Sequence, residues 1–512
     1  MTRINEGRVH SHEHVHAHTH GPSSAQEQGG DSEGHAEHRE HGRRHHRSYS
    51  HTHFRVYKRR WFGLVQLVLL NIVLSFNWLT FSPVSTTSAV YFGVSETAIN
   101  WLSTGFMFAF VVMVPFVIWT LNRGPKEAIL WSSVLMFVGS WIRYAGTRAS
   151  GGTYGPLMFG QIVVGLAQPF ALAAPTRYSD LWFTESGRVS ATAVASLANP
   201  FGAALAQLVV PFWATKASEV PNMVLYVAVI TTIATVPGFF IPAKPPTPPS
   251  ASSHLPKINL QESVYKLANS SSFWLILAPF VIYVGSFNAF SSLINQILYP
   301  YGYSESEAGI CGALLIVVGL VTAAITSPIL DRSHAYLLGI KLLVPVIGIS
   351  YLALVWAPQT RTLAAPYTIA ALLGAGSFSL VPITLEYLVE VTFPASPEVG
   401  STICWAGGQL VACIYIIVMN ALKDGSVDLM EVSKEGRGTG TGDRPPGNMF
   451  KALVFQAVIG LAVLPLPLCM GVEWLGLGEG KVKGRLRLDE HRERDGGVAE
   501  GIAEENPNAR RE

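Results

Sequence analysis

Two arginine-containing tripeptides occupy matching positions at the ends of long apolar segments of this chain. Leu-Asn-Arg at 121–123 closes the second segment, and Leu-Asp-Arg at 330–332 closes the eighth. An arginine at a helix C-terminus can bind the free carbonyl groups there and hold neighbouring helix ends together. The repeat therefore predicts a conformational latch built from Arg123, Asp331 and Arg332, with an amide in place of the acid in the first copy. The alternative is that these cations only anchor helix ends at a membrane surface.

A pair of glutamates lies near the end of the tenth apolar segment. Glu386 and Glu390 are four residues apart, which places both on one face of a helix. Charged groups inside a bilayer need partners or water. The pair predicts a gate whose ion pairs with Arg177, Arg188 or Arg332 break when two halves of the protein move. Two other interpretations are open: a carboxylate that couples to protons, and a pair that only anchors the helix.

Amide and aromatic side chains, rather than ionisable ones, occupy the middle of the apolar segments. This composition suits a neutral polar solute, or an organic cation held over aromatic rings. A single amide in such a helix more often bonds a neighbouring helix than a ligand. The residues predicted to contact a solute are Trp78, Gln168, Asn199, Asn288, Gln296 and Gln409; other residues that can line a cavity are Asn71, Asn77, Gln161, Gln207, Tyr283 and Asn295.

Histidines are concentrated at the start of the chain, where thirteen of the sixteen lie within residues 10–53. Imidazoles at this density bind divalent transition metals loosely, and His12, His14, His16 and His18 are the candidate ligands. The interpretation as a functional metal site competes with that of a disordered tail that binds metal incidentally. A metal carrier should also place histidines or carboxylates inside the apolar segments, and the sequence places none in their middle.

Composition and segment length predict that the chain crosses a membrane twelve times. Hydrophobic residues make up 49% of the 512 residues and charged residues only 14%, against about 25% charged in soluble proteins. A helix needs roughly 20 apolar residues to cross a bilayer. The predicted fold class is an all-α membrane protein with twelve helices in two six-helix repeats. The predicted spans are 61–82, 99–121, 127–146, 155–175, 190–213, 222–242, 273–298, 308–329, 336–356, 364–388, 399–421 and 449–471.

The distribution of cations predicts the orientation. Connections after even-numbered spans are rich in Lys and Arg, whereas the opposite connections carry only Arg143, Arg148, Lys216 and Arg361. Cations stay on the cytoplasmic side, so both termini are predicted to be cytoplasmic, in a plasma or a vacuolar or lysosomal membrane. The predicted organisation is a disordered tail, an N-terminal bundle, a Pro-rich link with a short helix, a C-terminal bundle and a charged tail, at 1–56, 57–242, 243–272, 273–475 and 476–512.

The chain resembles a known transporter family over roughly residues 57–420. It is similar to the solute carrier 49 family, the relatives of the feline leukaemia virus subgroup C receptor, within the major facilitator superfamily. The residues that carry the resemblance, in order along the chain, are Tyr57 to Phe62, Asn77-Trp78, Asn100 to Ser103, Gly139 to Arg143, Gly160-Gln161, Ala167 to Phe170, Ala174 to Arg177, Ser196 to Pro200, Gly285 to Phe287, Leu293 to Gln296, Leu330 to Arg332, Leu385 to Glu390 and Gly408-Gln409.

The resemblance implies facilitative transport of a small organic solute, with choline and ethanolamine carried by some members and haem or pyridoxine-like vitamins proposed for others. It also implies that Trp78 and Gln168 match two residues that line the site of the choline carriers. The third such residue is a tyrosine in the family, and here its position is occupied by Asn288. An aromatic cage for choline would therefore lack one wall.

Three functions are open from the sequence: a carrier of a small organic solute that works by alternating access, a transition-metal transporter or metal-responsive carrier, and a membrane receptor or sensor that does not transport. No nucleotide-binding loop or nucleophile–base pair indicates an enzyme, and no cofactor or nucleic acid is expected. The expected partners are the solute and the lipid bilayer, with loose divalent metal on the N-terminal tail, and the expected state is a monomer.

Overall fold

The computed structural model of the protein describes residues 57–183, 185–246, 260–333, 335–392, 397–425 and 442–470. Over these residues the chain forms fifteen α-helices, and twelve candidate membrane spans are built from them, as predicted. The helices are α1 (Arg59–Trp78), α2 (Ser85–Phe92), α3 (Glu96–Arg123), α4 (Pro125–Arg148), α5 (Tyr154–Trp182), α6 (Glu185–Trp213), α7 (Val220–Thr235), α8 (Leu260–Ala268), α9 (Ser271–Leu298), α10 (Glu305–Ser333), α11 (Tyr336–Leu354), α12 (Ala364–Thr392), α13 (Pro397–Ala421), α14 (Phe450–Ala462) and α15 (Pro465–Cys469).

The helices form two halves that pack in the same pattern. In the first half α5 packs on α3 and α4, and α1 packs on α6. In the second half the equivalent helices repeat these contacts, since α12 packs on α10 and α11, and α9 packs on α13. The halves meet where α6 contacts α10 and where α3 contacts α13. This repetition confirms the predicted twelve-span fold with two six-helix repeats.

Most spans differ by a few residues from their predicted bounds, and three of the differences change the course of the chain. The first span ends at Trp78 instead of residue 82, and the unpredicted helix α2 follows it. The sixth span tightens after Thr235 into a 3₁₀ turn that contains Pro237, and the last is divided in two by Pro465. A proline lacks the N–H that would continue an α-helix, so the chain changes its geometry there. The short helix expected within 257–272 is α8.

Glycines allow the closest helix contacts in both halves. A side chain at Gly202 of α6 would overlap the carbonyl group of Ile72 in α1, and one at Gly374 of α12 would overlap that of Leu315 in α10. Small residues let helix backbones approach in a membrane, where association depends on packing rather than on a hydrophobic force.

Gly202→Val is therefore expected to destabilise the folded protein by at least about 1–3 kcal/mol, because α6 must move away from α1. Gly155→Ala is the matched control, since an added Cβ there meets no atom within 4 Å. Thermal unfolding of the detergent-purified protein checks both. Equal unfolding temperatures for Gly202→Val and the wild type would show that the α1–α6 contact is not tight.

Candidate functional site

Two asparagines hold the helices of the first half together. The Asn71 Nδ2 group donates to the carbonyl oxygens of Leu67 and Ala171, both at 3.0 Å, and so joins α1 to α5. Asn199 of α6 donates to Asn71 Oδ1 at 3.4 Å and accepts from Ser75 Oγ at 2.7 Å. Both polar groups of Asn199 are thus engaged with α1. The predicted solute residue Asn199 acts in this structure as a link between helices.

Trp78 and Gln168 each carry a buried polar atom that has no hydrogen-bond partner within the described residues: Trp78 Nε1, a donor, and Gln168 Oε1, an acceptor. The two side chains are 7% and 4% exposed. Trp78, the last residue of α1, stacks on Phe106 with ring centroids 6.5 Å apart. Gly165 of α5 packs against the Phe106 backbone, and Gln168 follows Gly165 by about one helical turn. The buried atoms of Trp78 and Gln168 offer one hydrogen-bond donor and one acceptor.

The second half contributes an amide pair. Asn288 Nδ2 of α9 donates to Gln409 Oε1 of α13 at 3.3 Å, so the structure brings together two of the predicted solute residues. Their side chains are 6% and 5% exposed. Tyr283 instead donates to the Gly460 carbonyl oxygen of α14 at 2.9 Å, which engages its hydroxyl inside the second half. Asn288 and Gln409 therefore stay the candidates of the second half for contact with a solute.

The halves are joined at one end of the bundle, named here the closed end, which carries the connections 79–95 and 299–304. An ion pair crosses the interface there, between Glu96 of α3 and Lys423 beyond α13. Their side chains are 7% and 10% exposed. Thr86 Oγ1 of α2 donates to Glu96 Oε1 at 2.8 Å. Sequence reasoning missed this pair, because both residues stand next to predicted span ends, where charges are common.

Amides extend the closed-end contact between the halves. Asn100 and Gln296 exchange two hydrogen bonds, at 2.7 and 3.1 Å, and Asn100 also donates to Asn420 at 3.2 Å. Gln296, predicted to contact a solute, therefore belongs to the hydrogen bonds that join the two halves at the closed end. Ser82 Oγ donates to the carbonyl oxygens at 291 and 292, at 2.7 and 2.8 Å.

A second carboxylate, that of Glu305, also joins the two halves at the closed end. Glu305, at the start of α10, accepts from the backbone N–H of Thr87 at 3.1 Å and from its hydroxyl at 2.7 Å. Asn295 Nδ2 donates to the same carboxylate at 3.1 Å and to Ser85 Oγ at 3.0 Å. Helix α2, which the sequence did not predict, thus supplies most of the first-half partners of Glu305 and Asn295.

The face of α6 that meets the second half becomes more exposed with distance from the closed end. Gln207 donates to the Ser291 carbonyl oxygen at 2.8 Å. Along the same face Ala203 is buried, Pro200 is half-buried, and Ser196 and then Ala193 are exposed. Because these positions follow one another at helical spacing, their exposure describes a cleft between the halves that widens toward the opposite end.

The predicted latch and gate residues lie at that opposite end. Arg123 lies 4.0 Å from Glu127 and stacks on Trp119 at 3.7 Å, and the ion pair is about half exposed. Arg332 and Glu386 are exposed and Arg177 is half-buried. The side chains of Asp331, Arg188 and Glu390 lie outside the described residues. The latch and the gate at this end stay predictions.

The prediction that Arg143 lies in a connection between spans is wrong. Arg143 lies inside α4, with 1% of its surface exposed. Its Nη1 donates to Asn77 Oδ1 at 2.7 Å, and its guanidinium stands 5.1 Å from the ring of Phe81. Nε and Nη2 are buried and have no hydrogen-bond partner within the described residues. Asn77 precedes Trp78, so this arginine holds the turn of α1 that presents the tryptophan. The sequence signal was the motif Gly139 to Arg143, whose last residue was assigned to the connection.

Metal ligands are not gathered in the described part of the chain, where no group of three or more His, Cys, Asp or Glu side chains is placed to bind an ion. The candidate ligands His12, His14, His16 and His18 lie outside the described residues. Buried amides and aromatics are therefore the chemistry that the described site offers.

Two six-helix halves, joined at one end and parted at the other, are an architecture found in membrane transporters. The sequence profile of the Major Facilitator Superfamily matches residues 67–414. Solute carrier family 49 member A3 of Danio rerio is 32% identical over 377 residues, which are 72% of this chain and 80% of that protein. The chain belongs to the major facilitator superfamily and, within it, to solute carrier family 49.

More distant similarities agree with this family. The choline/ethanolamine transporter flvcr2a of Danio rerio is 26% identical over 389 residues, covering 72% of this chain and 82% of that protein. A bacterial homologue of the human lysosomal transporter Spinster, in an inward-facing and unoccupied conformation, superposes with a TM-score of 0.60. It shares 14% identity and covers 81% of this chain and 97% of that one, so it supports the fold alone. The protein is an integral multi-pass membrane transporter and not an enzyme.

Proposed function

We propose that this transporter carries a small, neutral, polar organic solute, and that it does so without coupling to an ion gradient. The observation that carries the proposal is the buried donor Trp78 Nε1 and the buried acceptor Gln168 Oε1, both without a partner in the described structure. Buried polar atoms are normally paired, because an unpaired one costs about 1–3 kcal/mol. A solute with a hydroxyl or amide group would pair both.

The second half supports a neutral solute over a quaternary ammonium. A cage for such a cation needs several aromatic faces, and the position where the choline carriers have a tyrosine holds Asn288, which is bonded to Gln409 at 3.3 Å. Tyr283, the nearby aromatic on α9, is bonded to α14. The amide pair favours hydrogen bonding to a solute that enters between the halves. Choline and ethanolamine, named for several relatives, are the competing solutes.

Charge placement supports the facilitative mode. Ion-driven carriers commonly place a carboxylate at mid-depth in the membrane. The charged residues of the twelve spans lie within the first or last two turns of their helices. Glu96 and Glu305 are bonded to residues of the opposite half at the closed end. Their proposed role is to seal that end during each cycle. With the cytoplasmic termini that the cation distribution predicts, the cleft opens toward the cytoplasm.

Uptake into vesicles that contain the purified protein tests the proposal. The panel is labelled choline, ethanolamine, pyridoxine, haem and zinc, each with and without a pH gradient. Trp78→Phe keeps a ring on Phe106 but removes the Nε1–H donor, and Gln168→Leu removes the Oε1 acceptor. Each of the two variants is expected to raise the KM for a transported neutral solute about fivefold, because the lost hydrogen bond contributes about 1 kcal/mol to binding. Tyr283→Phe is the matched control and should leave KM unchanged.

Three outcomes would contradict the proposal. Uptake that follows the pH gradient would show proton coupling. Choline uptake with the highest kcat/KM would show that Asn288 does not exclude a quaternary ammonium. Zinc uptake that survives both site variants but is lost without residues 1–53 would favour a metal carrier.

A further inference from the structure

A cavity of about 340 Å³ lies at the end of the first half opposite the closed end, away from the cleft site. Its volume is in the range of small-ligand sites, roughly 300–1,000 Å³. Three parts of the chain meet there: the start of α1, the last residue of α5 and the segment that follows the sixth span. The described residues that line the cavity are Tyr57, Arg59, Trp182, Pro242, Lys244 and Pro246.

Three side chains of the lining, those of Arg59, Lys244 and Trp182, carry hydrogen-bond donors and no acceptor. Arg59 and Lys244 are cations, and within the described residues neither makes an ion pair or a hydrogen bond through its side chain. Trp182 is 3% exposed, and its indole Nε1 is buried without a hydrogen-bond partner. The described lining contains no carboxylate. The three donors therefore call for a ligand that is anionic and rich in acceptor oxygens.

Local packing holds Trp182 and the start of α1 close together. Tyr178 stacks on Trp182 with ring centroids 5.9 Å apart, and its hydroxyl donates to the Arg60 carbonyl oxygen at 2.9 Å. A side chain at Gly63 would overlap the Tyr178 ring, so α1 and α5 touch closely at this level. Arg59 is thus the first residue of a helix that packs against the segment that carries Trp182.

We infer that this cavity binds a phosphate group. Phosphate supplies several acceptor oxygens and a negative charge, and charge-assisted bonds from arginine and lysine to phosphate are among the strongest in proteins. The site lies at a helix end with a tryptophan and a tyrosine, residues that are enriched at the membrane–water interface. The phosphate can belong to the headgroup of an anionic lipid or to a soluble phosphate.

Binding of the full-length chain to phosphatidic acid tests the inference. The protein is purified into phosphatidylcholine nanodiscs with or without phosphatidic acid, and retained lipid is counted by native mass spectrometry after release. Arg59→Gln combined with Lys244→Gln is expected to lower retention by tenfold or more, since each basic residue contributes roughly 1 kcal/mol toward an anionic lipid. Trp182→Phe keeps the stacking on Tyr178, removes the indole donor and should lower retention severalfold.

Lys58→Gln combined with Lys126→Gln is the matched control, because it removes two cations from the same end of the bundle without altering the cavity lining. Retention in this control should match the wild type. An equal loss in the control and in the Arg59/Lys244 variant would overturn the inference and indicate attraction by surface charge alone. Inorganic phosphate distinguishes a lipid headgroup from a soluble phosphate. It is added to nanodiscs without phosphatidic acid, and thermal unfolding is measured. If phosphate stabilises the wild type but not the Arg59/Lys244 variant, the site binds soluble phosphate. No response to either ligand would also overturn the inference.

Discussion

Replacing Glu96 with Gln is expected to part the two halves at the closed end. The change leaves the Lys423 ammonium buried without its counter-charge, and removing one partner of a buried ion pair costs about 3–5 kcal/mol. This cost falls on the sealed state, because water solvates Lys423 once the halves separate. A free-energy change of this size approaches the roughly 5.5 kcal/mol that would change the ratio of two conformations from 1:99 to 99:1. The same result is expected for Lys423→Met, which leaves Glu96 unpaired.

Disulfide cross-linking measures this shift. Thr97 and Asn420 face each other across the closed end, with 3.4 Å between Thr97 Oγ1 and Asn420 Oδ1. In a chain with Thr97→Cys and Asn420→Cys, cross-linking should be fast with the ion pair intact and at least tenfold slower with Glu96→Gln. The double variant Glu96→Gln with Lys423→Met should recover part of the rate, since no buried charge is then left unpaired.

The matched control lies at the same end of the protein. Lys451 and Asp424 form an ion pair at 3.8 Å, and their side chains are 64% and 59% exposed. Exposed pairs contribute little, and both residues belong to the second half. Lys451→Gln should leave the cross-linking rate unchanged. If it slows the rate as much as Glu96→Gln does, net charge rather than the buried pair controls the closed end.

The fold could be predicted from the sequence because a membrane leaves few choices. Twelve apolar segments of sufficient length must each cross as a helix, and the matching tripeptides at 121–123 and 330–332 indicated the duplication. Helix α2 escaped prediction because it is only eight residues long and has no charge that marks its ends. Such a helix is stabilised by tertiary contacts, here through Thr86 and Thr87, which no local pattern reveals.

The polar residues of the candidate site were proposed from the sequence, but the hydrogen-bond partners of these residues could not be predicted from it. Trp78 stacks on Phe106, Gln168 keeps a buried acceptor without a partner in the described residues, and Asn288 bonds Gln409. Gln296 is of the same chemical type, yet its partner is Asn100 in the other half. The hydrogen-bond partner of an amide depends on how its helix is rotated about its axis and on whether the closed end is joined. No pattern in a single sequence predicts either of these.

Arg143→Met is expected to stabilise the folded protein and to impair transport. The guanidinium is buried with Asn77 as its only hydrogen-bond partner in the described structure, so most of the cost of removing its charge from water is not recovered. Replacing buried ionic groups with apolar side chains of similar volume often stabilises a protein by about 1–4 kcal/mol. Asn77 would still accept from Ser140 at 3.3 Å and donate to Thr231 at 2.9 Å.

Transport is expected to fall because Arg143 fixes the turn of α1 that carries Trp78. Without the 2.7 Å bond to Asn77, the indole is held less firmly beside the solute, so kcat/KM should fall about tenfold or more while the protein survives higher temperatures. Thermal unfolding and vesicle uptake of the same preparation check both effects. Arg148→Met, on the exposed side of the same helix, should change neither.

Arg143→Ala separates the charge from the volume of this side chain. It removes the same charge as Arg143→Met but leaves a cavity among packed helices, so it should unfold at a lower temperature than the wild type. If Arg143→Met also unfolds at a lower temperature, the arginine is a structural element of the first half. Opposite shifts in stability and transport for Arg143→Met would instead show that a stabilising replacement at this position impairs function, as expected for a charge that acts beside the proposed solute site.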